Sequence, residues 1–413
     1  MMTSFFLLSS ALQPERLSWV QESLKFFFTQ LCPKRLNHQR TASGPLFSFF
    51  LTSDALYSLT DPEMLQSWNS ILSFPMVSII CDKQDLERRG IVTESLRLRF
   101  PDQVSVTGPG MDGNGFTFWR DLAVTSRQTK SPLPGTAGWF RISGPCTDCS
   151  SLQGVRFLSA ALDERLFIEM YAFLDGVHTG HQHQRAQEGE STGKELVVLN
   201  NRAVTAGLTF HILGCSRSAT DRGYRTWDDG KGQVISTCTE RVFKIRDIST
   251  IAGRFSQSHP ILATDSGMIL MRREGPAADR TVRTYTAPPL TILITRSPLA
   301  TGHAAGAIGL AAAAAYAGIL TRVIFLEDGV YALSGNPKPN RKSSEYHIME
   351  LISMVAHTEN LHFYALTPSF QKRGIQKAQS LNAELDIGYP GLGKILFFPP
   401  GNVHADFQRL LIF

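Results

Sequence analysis

The residues most able to do chemistry in this chain are its cysteines, and Cys215 stands in the most suggestive place. It follows the apolar stretch LTFHILG, which predicts a strand, and precedes SRSATDRG, which predicts the first turn of a helix. We expect this strand tip to expose the sulfur and to direct helix N–H groups at it, with Arg217 and Arg222 close in sequence. Such surroundings stabilise a thiolate, the nucleophilic form of cysteine. The alternative is a buried cysteine that acts as a small hydrophobe.

A second pair of thiols, Cys146 and Cys149, forms a CxxC motif in GPCTDCSS. Such a pair can be a redox couple, half of a zinc site or a coincidence. No second CxxC completes a zinc ribbon, so the default interpretation is that the pair fills a loop, and the alternative is a role supporting or resolving Cys215. The histidines of HTGHQHQ have no neighbouring pair of carboxylates or thiols. We therefore predict neither a bound metal nor a cofactor.

The elements that must position Cys215 belong to a threefold repeat. An apolar strand followed by an acidic, a small and a bulky residue occurs at residues 49–59, 171–180 and 324–335. A second shared phrase with a common glycine follows each copy, so we infer three copies of one domain. Counting back eight residues from that glycine gives Asp82, Cys215 and Leu366. A thiol therefore stands at this position in the middle copy alone.

Predicted strands alternate with predicted helices, which indicates βαβ units and mostly parallel sheets. The fold class is α/β, as three tandem three-layer α/β/α domains. The late stretches GKILFF and FQRLLIF predict strands, and polar insertions at 181–195 and 335–345 are expected near the functional face. Linkers rich in Pro, Gly, Ser and Thr lie at 127–138 and 272–289. The predicted domains are residues 1–130, 138–275 and 288–413.

Composition excludes several other classes of protein. The chain has 413 residues, of which 43% are hydrophobic and 19% charged, as in ordinary globular proteins. The net charge of +5 comes without a basic run, so we expect no direct nucleic-acid binding. Six scattered cysteines indicate reduced thiols and a cytoplasmic protein. The N-terminal apolar run lacks the basic leader of a signal peptide, so we do not expect export. The Ala-rich stretch 304–320 fits a buried crossover helix better than a membrane span.

These motifs together resemble the DsrE/DsrF/DsrH sulfur-relay family, whose tRNA-modifying counterparts are TusD, TusC and TusB. The second domain is similar to DsrE/TusD through ISGPCTDCSSLQGVRFLSAAL, YAFLDGVH and CSRSATDRG, which places Cys215 at the persulfide-carrying cysteine of that subunit. The third domain resembles DsrF/TusC through ITRSPLATGHAAGAIGLAAAAA, IFLEDGVYAL, SFQKRGI and RLLIF, a subunit whose catalytic position is empty. The first, degenerate domain resembles DsrH/TusB through DALYSL, KQDLERRGI and FTFWRDLAV.

The resemblance implies a sulfurtransferase that carries a persulfide on Cys215, between an upstream persulfide donor and downstream TusA-like and TusE/DsrC-like carriers. Because the family's subunits are usually separate chains in a dimer of heterotrimers, the fused chain implies a homodimer. The sulfur-oxidation branch tends to carry a cysteine in a stretch resembling QESLKFF, which has none here, and Cys32 lies beyond it. This favours 2-thiolation of the tRNA wobble uridine over sulfur oxidation with a DsrC-like acceptor.

A hypothesis of another class is a non-catalytic assembly module with an inert Cys215. The solvent exposure of the Cys215 thiol decides most directly between the sulfur-carrier hypothesis and the assembly-module hypothesis. A thiol sealed from solvent, with no cation or amide directed at it, would contradict the relay hypothesis.

Overall fold

The computed structural model describes residues 3–31, 47–74, 76–101, 103–107, 119–120, 123, 135–142, 149–184, 191–228, 234–236, 239–255, 261–263, 269–272, 287–298, 302–334, 348–375, 386–397 and 409–413. These residues form three five-stranded sheets and a two-stranded one. Helices flank each large sheet, which confirms the α/β class and the three tandem domains. We number the three units 1 to 3 in chain order.

Unit 1 is built on parallel strands that the sequence marks by apolar runs. Its strands are β1 (Thr3–Leu8), β2 (Phe47–Leu51), β3 (Val77–Asp82) and β4 (Val104–Thr107). Its helices are α1 (Pro14–Leu31), α2 (Pro62–Leu72), α3 (Lys83–Arg88) and α4 (Thr93–Arg99). The strand order is β1-β2-β3-β4. A strand from beyond unit 2, β12 (Ile269–Arg272), pairs antiparallel with β1 at the outer edge.

Unit 2 has a fully parallel sheet in the order β10-β7-β6-β5-β11. These strands are β5 (Thr136–Arg141), β6 (Phe167–Ala172), β7 (Phe210–Cys215), β10 (Phe243–Arg246) and β11 (Ile261–Ala263). The helices are α5 (Cys149–Asp163), α6 (Thr192–Thr205), α7 (Ser216–Asp221) and α8 (Ile248–Arg254). Strands β8 (Arg225–Asp228) and β9 (Val234–Ser236) form an antiparallel hairpin.

Unit 3 also has a parallel sheet, in the order β16-β15-β14-β13-β17. Its strands are β13 (Leu290–Ile294), β14 (Thr321–Phe325), β15 (Leu361–Leu366), β16 (Asp386–Ile387) and β17 (Arg409–Ile412). Its helices are α9 (His303–Tyr316), α10 (Ile348–Val355), α11 (Thr367–Arg373) and α12 (Tyr389–Phe397).

The predicted strand in GKILFF is wrong, because this stretch lies largely in helix α12. Its apolar residues fit a helix as well as a strand, since a short apolar run does not distinguish the two. Leu392 and Leu396 lie four residues apart and are both buried, and the ring of Phe397 packs against Phe27 and Phe47 of unit 1. The stretch RLLIF does form β17, as predicted.

The Ala-rich stretch forms α9, the crossover helix between β13 and β14, and it is buried as predicted. It packs against α8 of unit 2. In the described part of the chain, every helix falls short of the length and apolarity that a bilayer crossing requires.

Each unit has a 3-10 helix directly after its second strand, which we call its turn helix. The turn helices span Ser53–Leu59, Leu174–Gly180 and Glu327–Leu333. Their first residues have positive φ angles of 50°, 49° and 52°, which non-glycine residues rarely adopt. In each case the N–H of this residue donates to a side chain of the helix after the third strand: Ser53 to Asp85 at 2.8 Å, Leu174 to Ser218 at 2.9 Å and Glu327 to Ser369 at 3.0 Å. The unusual backbone is therefore a shared property of the fold.

The first helix of each unit packs on the turn helix of another unit, so that three junctions close a ring. Arg16 of α1 holds Glu327 of unit 3 through two hydrogen bonds of 3.0 and 2.8 Å. Gln153 of α5 donates to Thr52 and Asp85 of unit 1. Gly306 of α9 lies against the start of the turn helix of unit 2.

Candidate functional site

The third strands of the three units end in equivalent residues with nearly the same backbone conformation. The φ and ψ angles are −73° and 119° at Asp82, −65° and 125° at Cys215, and −79° and 107° at Leu366. Each residue is the N-cap of the helix that follows. The shared glycines that gave this register have positive φ angles: Gly90 at 66°, Gly223 at 74° and Gly374 at 61°. The predicted equivalence of the three positions is confirmed.

The predicted exposure of Cys215 is wrong, because its side chain is only 1% exposed. The residue does end β7 and precedes helix α7, as expected. Cys215 belongs to an apolar cluster that also contains Phe173 of unit 2 and Ala304 and Ala307 of α9, so it lies in a core shared by units 2 and 3. Strand patterns within one unit carry no information about a helix contributed by another unit.

The two arginines near Cys215 in sequence serve other contacts. Arg217 is exposed on α7. Arg222 donates from Nε to Asp175 of the turn helix at 2.6 Å. In the part of the chain that the structure describes, neither guanidinium is hydrogen-bonded to Cys215, and the thiol makes no capping hydrogen bond to α7.

The pair of Arg222 and Asp175 recurs in the units that have no thiol. Arg89 binds Asp54 at 2.9 Å in unit 1, and Arg373 binds Asp328 at 2.8 Å in unit 3. A salt bridge present at all three positions joins the turn helix to the helix after the third strand. This interaction explains Arg222 without reference to Cys215.

The other cysteines give little further chemistry among the described residues. Cys146, like Cys32 and Cys238, lies outside them, and Cys149 is described only as the first residue of α5. Cys81 in β3 is fully buried, and burial, with a smaller contribution from Asp82, raises its pKa to about 12. Cys81 is therefore an inert structural thiol.

The histidines of HTGHQHQ lie at the end of the turn helix of unit 2 and just after it. Nδ1 of His178 is 2.6 Å from the hydroxyl oxygen of Tyr224, and the ring of His181 also packs on this tyrosine. Burial is the main cause that lowers the pKa of His178. Among the described residues, no group of three or more histidine, cysteine or carboxylate side chains could hold a metal ion.

The equivalent site in unit 1 is polar. Arg156 of α5 donates to Asp82 at 3.1 Å and also binds Gln84. Burial is the main cause that raises the pKa of Asp82, partly offset by its hydrogen bond from the N–H of Asp85. A carboxylate paired with an arginine fills the position of the thiol, so this strand end carries no thiol nucleophile.

A cavity of about 580 Å³ opens at the junction of units 1 and 3 rather than at the thiol. It is lined by charged and polar side chains, and the carboxylates in its wall are already paired. Glu15 binds Arg373 at 2.8 Å, and Glu327 binds Arg16. Arg296 also lines it and extends towards the junction of units 2 and 3.

His303, the first residue of α9, is a polar residue in the junction that covers Cys215, and sequence reasoning did not single it out. It is 3% exposed and interacts electrostatically with Arg296, Asp175 and Arg222. The available signal was a lone histidine at the start of an Ala-rich helix. The histidine can be related to the site only when the contact between units 2 and 3 is known.

Comparison with curated proteins gives no match. A family model matches one region of the chain, which covers most of the described part of unit 3. The match supports the family resemblance and extends over neither unit 1 nor unit 2. Residues 289–394 match the model of the DsrE/DsrF-like family, whose members are involved in sulfur transfer.

Proposed function

We propose that this protein is a sulfurtransferase that carries a persulfide on Cys215. The observation that carries the proposal is the difference between three equivalent strand ends, of which only that of unit 2 holds a nucleophile. The match of unit 3 to a family involved in sulfur transfer supports the same chemistry.

The reaction consists of two displacement steps at sulfur. The Cys215 thiolate attacks the outer sulfur of a donor persulfide, the S–S bond of the donor breaks, and the donor leaves as a thiolate. A thiolate of the acceptor then attacks the outer sulfur on Cys215, which leaves as a thiolate in turn. One sulfur atom is transferred, with no net oxidation or reduction, as in thiol–disulfide exchange.

The burial of Cys215 adds a requirement to this proposal. A thiol that is 1% exposed cannot meet a donor or an acceptor protein in the conformation described. Transfer therefore requires α9 or the turn helix of unit 2 to move aside, and the closed junction would then protect a loaded persulfide from water and small thiols. Local opening of this kind costs less free energy than global unfolding.

We assign the sulfur to 2-thiolation of the tRNA wobble uridine in the cytoplasm, with a homodimer exchanging sulfur with TusA-like and TusE/DsrC-like carriers. In this assignment Cys146 and Cys149 support the reaction, whereas Arg222 holds Asp175 of the turn helix and Arg217 is exposed. The alternative route is sulfur oxidation with a DsrC-like acceptor. The two routes differ in the carrier that removes the persulfide, so competition between purified carriers distinguishes them.

The direct test is sulfur loading from a cysteine desulfurase supplied with labelled cysteine, with intact-mass and peptide mass spectrometry. The wild type should gain one sulfur atom on the peptide that contains Cys215. Cys215→Ser should lose this adduct while keeping its fold and oligomeric state, and Cys81→Ser is the matched control that should still load. Loading of Cys215→Ser to the wild-type level would refute the proposal.

A second function is favoured by the 1% exposure of the thiol: a non-catalytic assembly module in which Cys215 only packs. In that case Cys215 reacts with an alkylating reagent as slowly as Cys81 until the protein unfolds. Site-resolved alkylation of the native protein therefore separates the two functions.

A further inference from the structure

Helix α9 presents its first turn to unit 2, and a histidine lies on that face. Gly306 contacts Phe173 and Leu174, so close that a side chain there would crowd both. His303 lies three residues earlier, and residues three apart are neighbours on one face of a helix. The side chain of His303 is 3% exposed. It therefore points into the junction between units 2 and 3.

The two ring nitrogens of His303 have different roles. Nδ1 is 3.3 Å from Nη1 of Arg296, and because a guanidinium group only donates, Nδ1 is the acceptor. Burial, followed by the charge of Arg296, lowers the pKa of His303 to about 4, so the ring is neutral and carries its proton on Nε2. Nε2 is buried and has no hydrogen-bond partner among the described residues. The junction thus holds an N–H donor away from water.

The surroundings of this donor suit an anion. The charges that act on His303 are the guanidinium groups of Arg296 and Arg222 and the carboxylate of Asp175, which Arg222 already binds. His303 is also the first residue of a helix of 14 residues, whose positive end lies here without a side-chain cap. A buried donor without an acceptor costs free energy, which an anionic acceptor would recover.

Cys215 is the residue of unit 2 that can supply such an anion. It belongs to the same apolar cluster as Ala304 and Ala307, which are in the first turns of α9. In the junction of units 1 and 2, the first helix of unit 2 contacts the residue equivalent to Cys215: Arg156 of α5 donates to Asp82. In that junction Gln153, in the second turn of α5, donates to Thr52 and Asp85.

We propose that, when Cys215 is ionised or carries a persulfide, the Nε2–H group of His303 donates a hydrogen bond to its anionic sulfur, which Nε2 does not reach in the conformation described. The persulfide extends the reach of Cys215 by an S–S bond of about 2.05 Å. This inference deepens the sulfur-carrier function and rests on it for the loaded state. The donor would thus come from unit 3, although the thiol belongs to unit 2.

The test compares His303→Leu with His303→Gln in the full-length protein. Glutamine keeps an amide N–H at similar reach, whereas leucine keeps the bulk without a donor. The ultraviolet absorbance of the thiolate is titrated for each protein and for the same protein carrying Cys215→Ser, and the difference isolates Cys215. Sulfur loading is measured in parallel by peptide mass spectrometry.

His303→Leu should lower the thiolate fraction of Cys215 at neutral pH by about 10-fold or more, because hydrogen bonds to charged groups are strong. His303→Gln should restore most of it. A histidine that only packs would change thermal stability in either variant without moving this titration, and an unchanged titration in His303→Leu overturns the inference. If the titration moves but the wild type accepts no sulfur, the inference stands and the sulfur-carrier function fails.

Discussion

The junction of units 1 and 2 and the junction of units 2 and 3 place the same backbone position in opposite environments. At the first, Asp82 is paired with Arg156 and flanked by Gln153 and Gln84. At the second, Cys215 lies in an apolar cluster that includes residues of α9. Each junction holds a buried polar atom without a hydrogen-bond partner among the described residues: Oε1 of Gln153 at the first and Nε2 of His303 at the second.

Features shared by all three units form the scaffold of the site, whereas features found in one junction include the residues that could react. The positive φ at the start of the turn helix and the salt bridge from its second residue occur in all three units, so they belong to the scaffold. The thiol and the histidine occur at one junction. Chemistry specific to this protein is therefore expected from the contact between units 2 and 3.

The largest contrast is expected between two buried thiols, Cys215 and Cys81. A pKa of about 12 leaves Cys81 roughly 1,000-fold less thiolate at neutral pH than an ordinary thiol has. In native protein treated with a small alkylating reagent, Cys215 should be modified about 100-fold faster than Cys81. Peptide mass spectrometry over time measures both rates. Equal rates would place Cys215 with the structural thiols.

The next largest effect is expected for Glu327, the residue of unit 3 equivalent to Leu174. Glu327→Ala removes the partner of buried Arg16 and of the Trp19 indole N–H. We expect a loss of about 3 to 5 kcal/mol in the free energy of unfolding, because a buried charge is left uncompensated. Asp328→Ala is the control and should cost less than about 1 kcal/mol, because this carboxylate is 58% exposed. Urea denaturation measures both.

A smaller effect distinguishes the turn helices themselves. A methyl group at Gly176 would overlap the carbonyl group of Arg141, whereas unit 1 carries Ala55 at the equivalent position. Gly176→Ala should destabilise the protein by about 2 kcal/mol or more, as overpacking does. Ala55→Gly should cost only about 1 kcal/mol. If Gly176→Ala proves neutral in thermal denaturation, the turn helix of unit 2 accommodates a methyl group as that of unit 1 does, and the predicted difference between them is absent.

The smallest effect concerns the pH dependence of the polar junction. The raised pKa of Asp82 means that the folded protein holds this proton more tightly than the unfolded chain does. The free energy of unfolding should then decline as pH rises from the ordinary value of 3.8 to the raised one. Asp82→Asn should flatten this decline and change stability at neutral pH by only about 1 kcal/mol. Unfolding measured across the acid range would show an unchanged slope if Asp82 does not contribute.

The sequence was sufficient for the repeat and for the local geometry of Cys215. Turn glycines that require positive φ fixed the register, and apolar runs fixed β7 and β15. The sequence did not predict helix α12, because its short apolar run fits a helix as well as a strand. It also did not predict that Cys215 is buried in a core shared with α9 or that Arg222 binds Asp175, because both depend on residues that lie far apart in the chain.

Strand β12 has a consequence for how the protein can be divided. It follows unit 2 in the chain, within the predicted domain 138–275, yet it completes the sheet of unit 1 through pairs such as Thr3 with Arg272 and Phe6 with Ile269. A fragment cut at the 127–138 linker would leave the edge of β1 unpaired, and bare strand edges recruit other chains. Expression as three independent subunits would thus expose the edge of β1 and favour aggregation. A cut after β12 would keep β1 paired with β12.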